Sequence, residues 1–318
     1  MAIALGWCLF ALLLLALGGD SILKGASGLA RRFGLSPFAT GLLLVAFGTS
    51  IPELSVNLRA FVVGSQSLAL GNAIGSNIVN FGLTLGLAAL AAPLAVRWRA
   101  LVPLLTALVV ATAALLLLAL FGDGVLGRVE GLVFVAAFVA VVAFALGRSH
   151  REDPALQEKL ADYLDTGTAL WRNLLRFAVG AALLYFGARQ LVANAPIVGL
   201  AWGMTPLLTG LIAVSIATAL PEAVAAVSAA RRGQGDIVVG HVVGSSLFNL
   251  LVVVGGMAAL RPLPIPASFV GLELPAALAM CALLLPMLRR DLQISRAEGG
   301  VLFAAFLLWA GFEIALSH

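Results

Sequence analysis

Ala46-Phe-Gly-Thr-Ser-Ile-Pro-Glu53 recurs as Ser215-Ile-Ala-Thr-Ala-Leu-Pro-Glu222, 169 residues further along the chain. The same offset carries Gly34-Leu-Ser-Pro-Phe-Ala-Thr-Gly41 onto Gly203-Met-Thr-Pro-Leu-Leu-Thr-Gly210. It also carries Gly71-Asn-Ala-Ile-Gly-Ser-Asn-Ile-Val-Asn80 onto Gly240-His-Val-Val-Gly-Ser-Ser-Leu-Phe-Asn249. Arg128-Val-Glu-Gly131 matches Arg296-Ala-Glu-Gly299 one residue short of it. Agreement sustained over this distance marks an internal duplication.

The duplicated unit lies in lipid. Of 318 residues, 62% are hydrophobic and only 11% charged, too few charges to cover a water-facing surface. Apolar stretches of about 20 residues, enough to cross about 30 Å of hydrocarbon, recur throughout. They fall at about 3–25, 37–62, 67–92, 100–121, 124–147, 173–194, 206–230, 236–260, 268–288 and 297–316. This predicts an all-α membrane protein of ten transmembrane helices. Residues 1–147 and 172–318 form two five-helix repeats, joined by a charged linker at 148–171. Five is odd, so the second repeat enters from the opposite side and the two are inverted. Such repeats characterise secondary transporters, which place their substrate site at midplane where the repeats meet.

The pI near 9.7 does not point to nucleic acid, because the basic residues sit in short loops between spans. With the N-terminus outside, every Lys and Arg except Arg59, Arg128, Arg189 and Arg261 falls on the inner side. The positive-inside rule then puts both termini outside the cytoplasm in a multi-pass membrane protein. Met1-Ala-Ile-Ala-Leu-Gly-Trp-Cys8 has no basic leader region and reads as the first span. Cys8 and Cys281 lie inside spans without metal or redox spacing and read as packing residues.

Glu53 and Glu222 fall near the middle of spans two and seven. A charge at that depth costs about 2.5–3.5 kcal/mol on insertion scales and usually marks an ion or proton pathway. No span offers a Lys or Arg at comparable depth to make a structural ion pair. Each glutamate follows a proline, Pro52 or Pro221, which lacks an N–H and crowds the carbonyl four residues back. Helices two and seven are therefore expected to break there and free carbonyls near Gly48–Thr49 and Ala217–Thr218. Backbone exposed at this depth is tolerated where it lines a polar cavity. Carboxylates plus free carbonyls make an all-oxygen cage, suited to a hard cation such as Ca²⁺.

Helical spacing adds to the cage. Ala46, Thr49, Ser50, Glu53 and Asn57 share one face of span two, while Asn72, Ser76 and Asn80 align on span three. Their counterparts are Ser215, Thr218 and Glu222 on span seven, and His241, Ser245 and Asn249 on span eight. Thr40, Thr209, Asn77 and Ser246 read as polar glue between helices, and Gly71, Gly75, Gly240 and Gly244 as sites of close packing. His241, the one histidine in a span, reads either as a neutral hydrogen-bonding group or as a proton-sensitive one. Glu273 and Glu313 lie nearer span ends, where solvent or a loop partner is expected. Asp20 sits near the polar end of span one.

At Gly48-Thr-Ser-Ile-Pro-Glu53 with Gly75-Ser-Asn-Ile-Val-Asn80, and at Ala217-Thr-Ala-Leu-Pro-Glu222 with Gly244-Ser-Ser-Leu-Phe-Asn249, the chain resembles the cation/calcium exchanger superfamily. Within it, the chain resembles the prokaryotic sodium/calcium exchangers, which implies the prokaryotic inner membrane as its location. The resemblance implies antiport of Ca²⁺ against Na⁺ by alternating access, with long first and sixth helices sliding across the core. It implies Ca²⁺ binding by Glu53 and Glu222 with the Thr49 and Thr218 carbonyls. Na⁺ would use the same glutamates with Ser50, Ser76, Ser245 and the carbonyls of Ala46 and Ser215. Asn80 and Asn249 would line the centre.

Three departures bear on the counter-ion. Ala219 stands where the family repeats a serine, Asn249 where many members carry an aspartate, and His241 where asparagine is more usual. A Ca²⁺/H⁺ antiporter is therefore the alternative to a Ca²⁺/Na⁺ exchanger. The transported ions are substrates, and no cofactor is expected. A channel could use the same acidic ring without needing a counter-ion gradient. A hydrolase is excluded for want of a nucleophile motif around Ser245 and His241.

Overall fold

The computed structural model describes residues 1–33, 48–96, 101–148, 169–290 and 292–316. Along them run α1 (Ala2–Arg32), α2 (Ile51–Val62), α3 (Gln66–Ala91), β1 (Leu94–Ala95), α4 (Leu101–Phe121), β2 (Val125–Leu126) and α5 (Arg128–Arg148). Then follow α6 (Leu170–Ala201), α7 (Pro206–Arg231), α8 (Gly235–Leu260), β3 (Leu263–Pro264), α9 (269–290), β4 (Gln293–Ile294) and α10 (Arg296–Leu316). Among the described residues, 9 helices are long and apolar enough to cross a membrane. They match nine of the ten expected spans. The other, expected at 37–62, is described only from Gly48, so Ala46 and Thr40 lie outside the described residues. Most of the charged linker also lies outside them.

The most buried helices are α3 and α8, which carry the Asn-Ser faces read from the sequence: 83% and 89% of their most apolar windows are inside the protein. Each contains a π-helical turn, Asn80–Leu85 in α3 and Asn249–Val254 in α8. No sequence signal announced these turns. Glycine lets neighbouring backbones close on this core. A Cβ on Gly71 or Gly75 would collide with the carbonyl of Leu207 or Leu211 of α7. Close packing of α3 was therefore read correctly at those two glycines.

α1 and α6 are the longest helices, 31 and 32 residues, and they pack along each other at one side of the core. Gly18 and Gly180 bring their backbones together: a Cβ on Gly18 would lie 3.0 Å from the Gly180 carbonyl oxygen. At about 1.5 Å per residue each is longer than the hydrocarbon is thick, so tilt across the bilayer is needed. Their outer faces expose Leu9, Leu13, Leu17, Tyr185 and Phe186, as a lipid-facing surface does.

Two short antiparallel bridges tie the loops. β1 pairs with β4 and β2 with β3. Next to them, α5 packs on the last turns of α8 through Gly131 and Gly255, and α10 packs on the last turns of α3 through Gly299 and Gly86.

The two Pro-Glu segments differ from the symmetric break expected of them. A 3₁₀ turn, Gly48–Ser50, leads into α2, whose first turn holds Pro52 and Glu53. Proline suits that position because its missing N–H would be unpaired there anyway. In α7, by contrast, the helix runs unbroken through Pro221. The Ala217 carbonyl loses its usual N–H partner, but one lost bond bends a helix without ending it. A π turn at Thr209–Val214 lies just before it.

Candidate cation site

Glu53, in the first turn of α2, is 4% exposed, and among the described residues its Oε2 has no hydrogen-bond partner. Across from it, α7 brings Glu222 close enough for the two carboxylates to act on each other through space, with the Thr218 hydroxyl beside Glu53. The two acids singled out by the repeat thus meet in one interior.

α8 supplies the next layer. His241 Nε2 lies 3.1 Å from Glu222 Oε2, and its Nδ1 lies 2.8 Å from Thr49 Oγ1. Ser245 Oγ completes this group, 3.2 Å from Thr49 Oγ1 and 3.3 Å from His241 Nδ1. One imidazole therefore joins the two Pro-Glu segments, from Thr49 of one to Glu222 of the other. The sequence left His241 open between a hydrogen-bonding and a proton-sensitive group, and this geometry accommodates both.

On α3 and α8, Ser76, Asn80 and Asn249 are all buried, and among the described residues Ser76 Oγ, Asn80 Oδ1 and Asn249 Oδ1 have no partner. A buried polar atom left unpaired costs about 1–3 kcal/mol, so a group of them makes an interior suited to a polar guest. Asn77 holds this layer together as expected of polar glue. Its amide donates to the Ser246 carbonyl at 3.1 Å and its oxygen accepts from Asn249 Nδ2 at 3.3 Å.

Other expected ligands are committed locally. The Ser215 hydroxyl donates to the Leu211 and Ile212 carbonyls, and the Thr218 hydroxyl to the Val214 and Ser215 carbonyls. The Ser215 carbonyl is thus already taken as an acceptor once. Ser50 is 1% exposed, packed where the 3₁₀ turn meets α2.

A cavity of about 370 Å³ opens onto this group between α1 and the Pro-Glu segments. Thr49, Pro52, Thr218, Pro221 and Glu222 line it on one side, and Gly19 and Asp20 of α1 on the other. Gly19 matters sterically, since a Cβ there would lie 2.8 Å from Pro52 Cγ. Asp20, ambiguous in the sequence, pairs with Lys24 at 2.7 Å on the exposed side of α1. A smaller space of about 70 Å³ continues from Thr49, Glu222 and His241 towards Ala229 and Ile237.

Chemically the donor set is nearly all oxygen: two carboxylates, hydroxyls, amide oxygens and a carbonyl freed by proline. Such a set fits a hard cation, which takes six to eight oxygens when it is Ca²⁺. The imidazole of His241, a possible nitrogen ligand, is engaged with Glu222. Among the described residues, no cluster of three or more His, Cys, Asp or Glu suggests a transition-metal centre.

Comparison with known proteins agrees with this chemistry. Residues 3–147 and 172–315 match the sodium/calcium exchanger protein family. The chain is 35% identical to the putative antiporter CaxA of Alkalimonas amylolytica, over 96% of this chain and 97% of that protein. It is 32% identical to the inner membrane protein YrbG of Escherichia coli (strain K12), over 100% of this chain and 98% of that protein. In fold it is similar to a solved structure of the sodium-calcium exchanger NCX_Mj soaked with Na⁺ and Sr²⁺. That likeness has a TM-score of 0.67 at 24% identity, over 96% of this chain and 97% of the other.

Proposed function

The chain belongs to the sodium/calcium exchanger protein family, and on that premise we propose that it exchanges Ca²⁺ for Na⁺ across the membrane by alternating access. It is a multi-pass membrane transporter and not an enzyme. The observation that carries the proposal is the approach of Glu53 to Glu222, with Glu53 Oε2 left without a hydrogen-bond partner among the described residues. Two carboxylates can be neutralised by one Ca²⁺ or by monovalent cations. Competition for one cage then couples the two fluxes. In this reading Glu53 and Glu222 are the charged ligands. Thr49, Thr218, Ser50, Ser76, Ser245, Asn80, Asn249 and the Ala46 and Ser215 carbonyls supply neutral oxygens, and Pro52 and Pro221 set the depth.

The architecture is two inverted repeats, residues 1–147 and 172–318, joined by a linker at 148–171. Exchanging the halves carries the β1–β4 bridge onto β3–β2, which supports this reading. It also carries the Gly86–Gly299 approach onto Gly255–Gly131, and one π turn onto the other. The contacts with α1 and α6 do not follow this exchange. α2 packs along α6, but α7 makes only slight contact with α1, and the cavity lies in that gap. In the opposite state α7 would close on α1 while α2 parted from α6. The present opening leads towards Arg231 and Arg232, which positive-inside orientation assigns to the cytoplasm of a prokaryotic cell, with both termini outside.

A second reading, Ca²⁺/H⁺ exchange, is favoured by one contact: His241 sits on the Glu222 carboxylate. Proteoliposomes separate the two. Under the first reading, an imposed Na⁺ gradient drives Ca²⁺ uptake. Uptake driven by a pH gradient alone overturns it.

A further inference from the structure

A second cavity, of about 600 Å³, lies at the end of the molecule where α7 begins and α10 ends. Much of its wall is apolar, with Leu208, Leu211 and Phe312, yet it takes in Glu273 of α9 and Glu313 of α10. Position in the sequence suggested solvent or a loop partner for these acids, and the structure corrects that. Glu273 is 2% exposed and Glu313 7%. Among the described residues, Glu273 Oε2 and Glu313 Oε1 have no hydrogen-bond partner. The reason is tertiary: the start of α9 and the end of α10 face the first turns of α7 across this cavity, so both acids look inward.

The two carboxylates are near enough to act on each other through space. Among the described residues no Lys, Arg or His lines the cavity to balance them. Ser268 stands beside Glu273, and the Thr205 hydroxyl, which accepts the Leu208 N–H at 3.2 Å, keeps a second lone pair. Glu273 closes a π turn, Phe269–Glu273, a helix distortion frequent at functional sites. This cavity shares no lining residue with the one at Glu222.

We propose that Glu273 and Glu313 form a second divalent-cation site, binding a hard ion of the Ca²⁺ class with help from the Ser268 and Thr205 hydroxyls. A divalent ion answers both unbalanced carboxylates at once, whereas a monovalent ion leaves one charge buried in an apolar wall. Its ligands are all oxygen, which selects hard cations over soft ones.

Equilibrium dialysis of the full chain in detergent with ⁴⁵Ca²⁺ tests it, using wild type, E53Q/E222Q, E273Q/E313Q and the combined variant. Each double variant is expected to lose one bound Ca²⁺ per chain, and the combined variant to bind none. If E273Q/E313Q binds as much Ca²⁺ as wild type, the second site is wrong, and a proton shared between the two acids would give that result. If E53Q/E222Q keeps full binding, the central cage fails instead, so the two readings are judged separately. Should E273Q/E313Q not fold, tryptophan-excited Tb³⁺ emission from E53Q/E222Q replaces it. Emission displaced by Ca²⁺ is expected, given Trp309 one turn from Glu313. Its absence overturns the proposal.

Discussion

Pro52-Glu53 and Pro221-Glu222 are the same two residues at matching places in the two halves, but their surroundings differ. Pro52 starts a helix and lies under Gly19 of α1, and Glu53 beside it is sealed at 4% exposure. Pro221 sits inside an unbroken helix; both prolines line the cavity, but of the two acids Glu222 lines it, with its side chain 15% exposed. Their hydrogen-bond partners differ too. Asn72 of α3 donates to Asn57 of α2 at 2.8 Å, fastening helix to helix. At the corresponding places stand His241 and Ala226, and since alanine offers no acceptor, the imidazole turns to Glu222. One acid is enclosed while the other faces the cavity. Two copies of one motif can therefore hold one carboxylate sealed and one exposed in a single structure.

The largest expected effect removes either arm. E53Q or E222Q is expected to reduce Ca²⁺ exchange in proteoliposomes to background while the protein still elutes as a folded monodisperse species. Near-normal exchange in either variant would show that the cage lies elsewhere. Accessibility comes next. Val56 and Ala225 occupy equivalent places, but Val56 is 1% exposed and Ala225 lines the cavity. In a background lacking Cys8 and Cys281, A225C is expected to react with a water-soluble maleimide and V56C to be protected. Equal labelling would erase the asymmetry described above.

A smaller, graded pair of effects separates ion contact from packing. H241A removes the partner of Glu222 and is expected to weaken apparent Ca²⁺ affinity about 10–100-fold, as loss of a group that orients a ligand does. N72A, its counterpart, leaves Asn57 Oδ1 unpaired and is expected to cost about 1–3 kcal/mol of stability with little change in affinity. If thermal denaturation and Ca²⁺ titration move together in both variants, the distinction between the two partners does not hold. The smallest expected change is A219S, which restores a hydroxyl opposite Ser50. Stronger Na⁺ dependence of exchange is expected if that position faces the ion, and an unchanged Na⁺ response removes Ala219 from the account of the counter-ion.

The repeat, the spans and the paired acids were legible because each is local in sequence. Hydropathy marks a span without reference to its neighbours, and Pro-Glu at mid-span identifies itself by its cost in lipid. The His241 bridge was half legible: its alignment opposite Asn72 was visible, but its two partners, Thr49 and Glu222, lie on separate helices. Glu273 and Glu313 were placed correctly on their helices and wrongly in their environment. Depth along a helix does not say which neighbour covers its end.

By itself the sequence determined a membrane-spanning helical chain with two copies of one Pro-Glu motif, because composition and spacing alone fix those properties. Only the tertiary structure decided that Glu53 is sealed while Glu222 meets a cavity. That choice depends on which of α1 and α6 lies against α2 and α7, and two copies of one motif carry no information about which copy is covered.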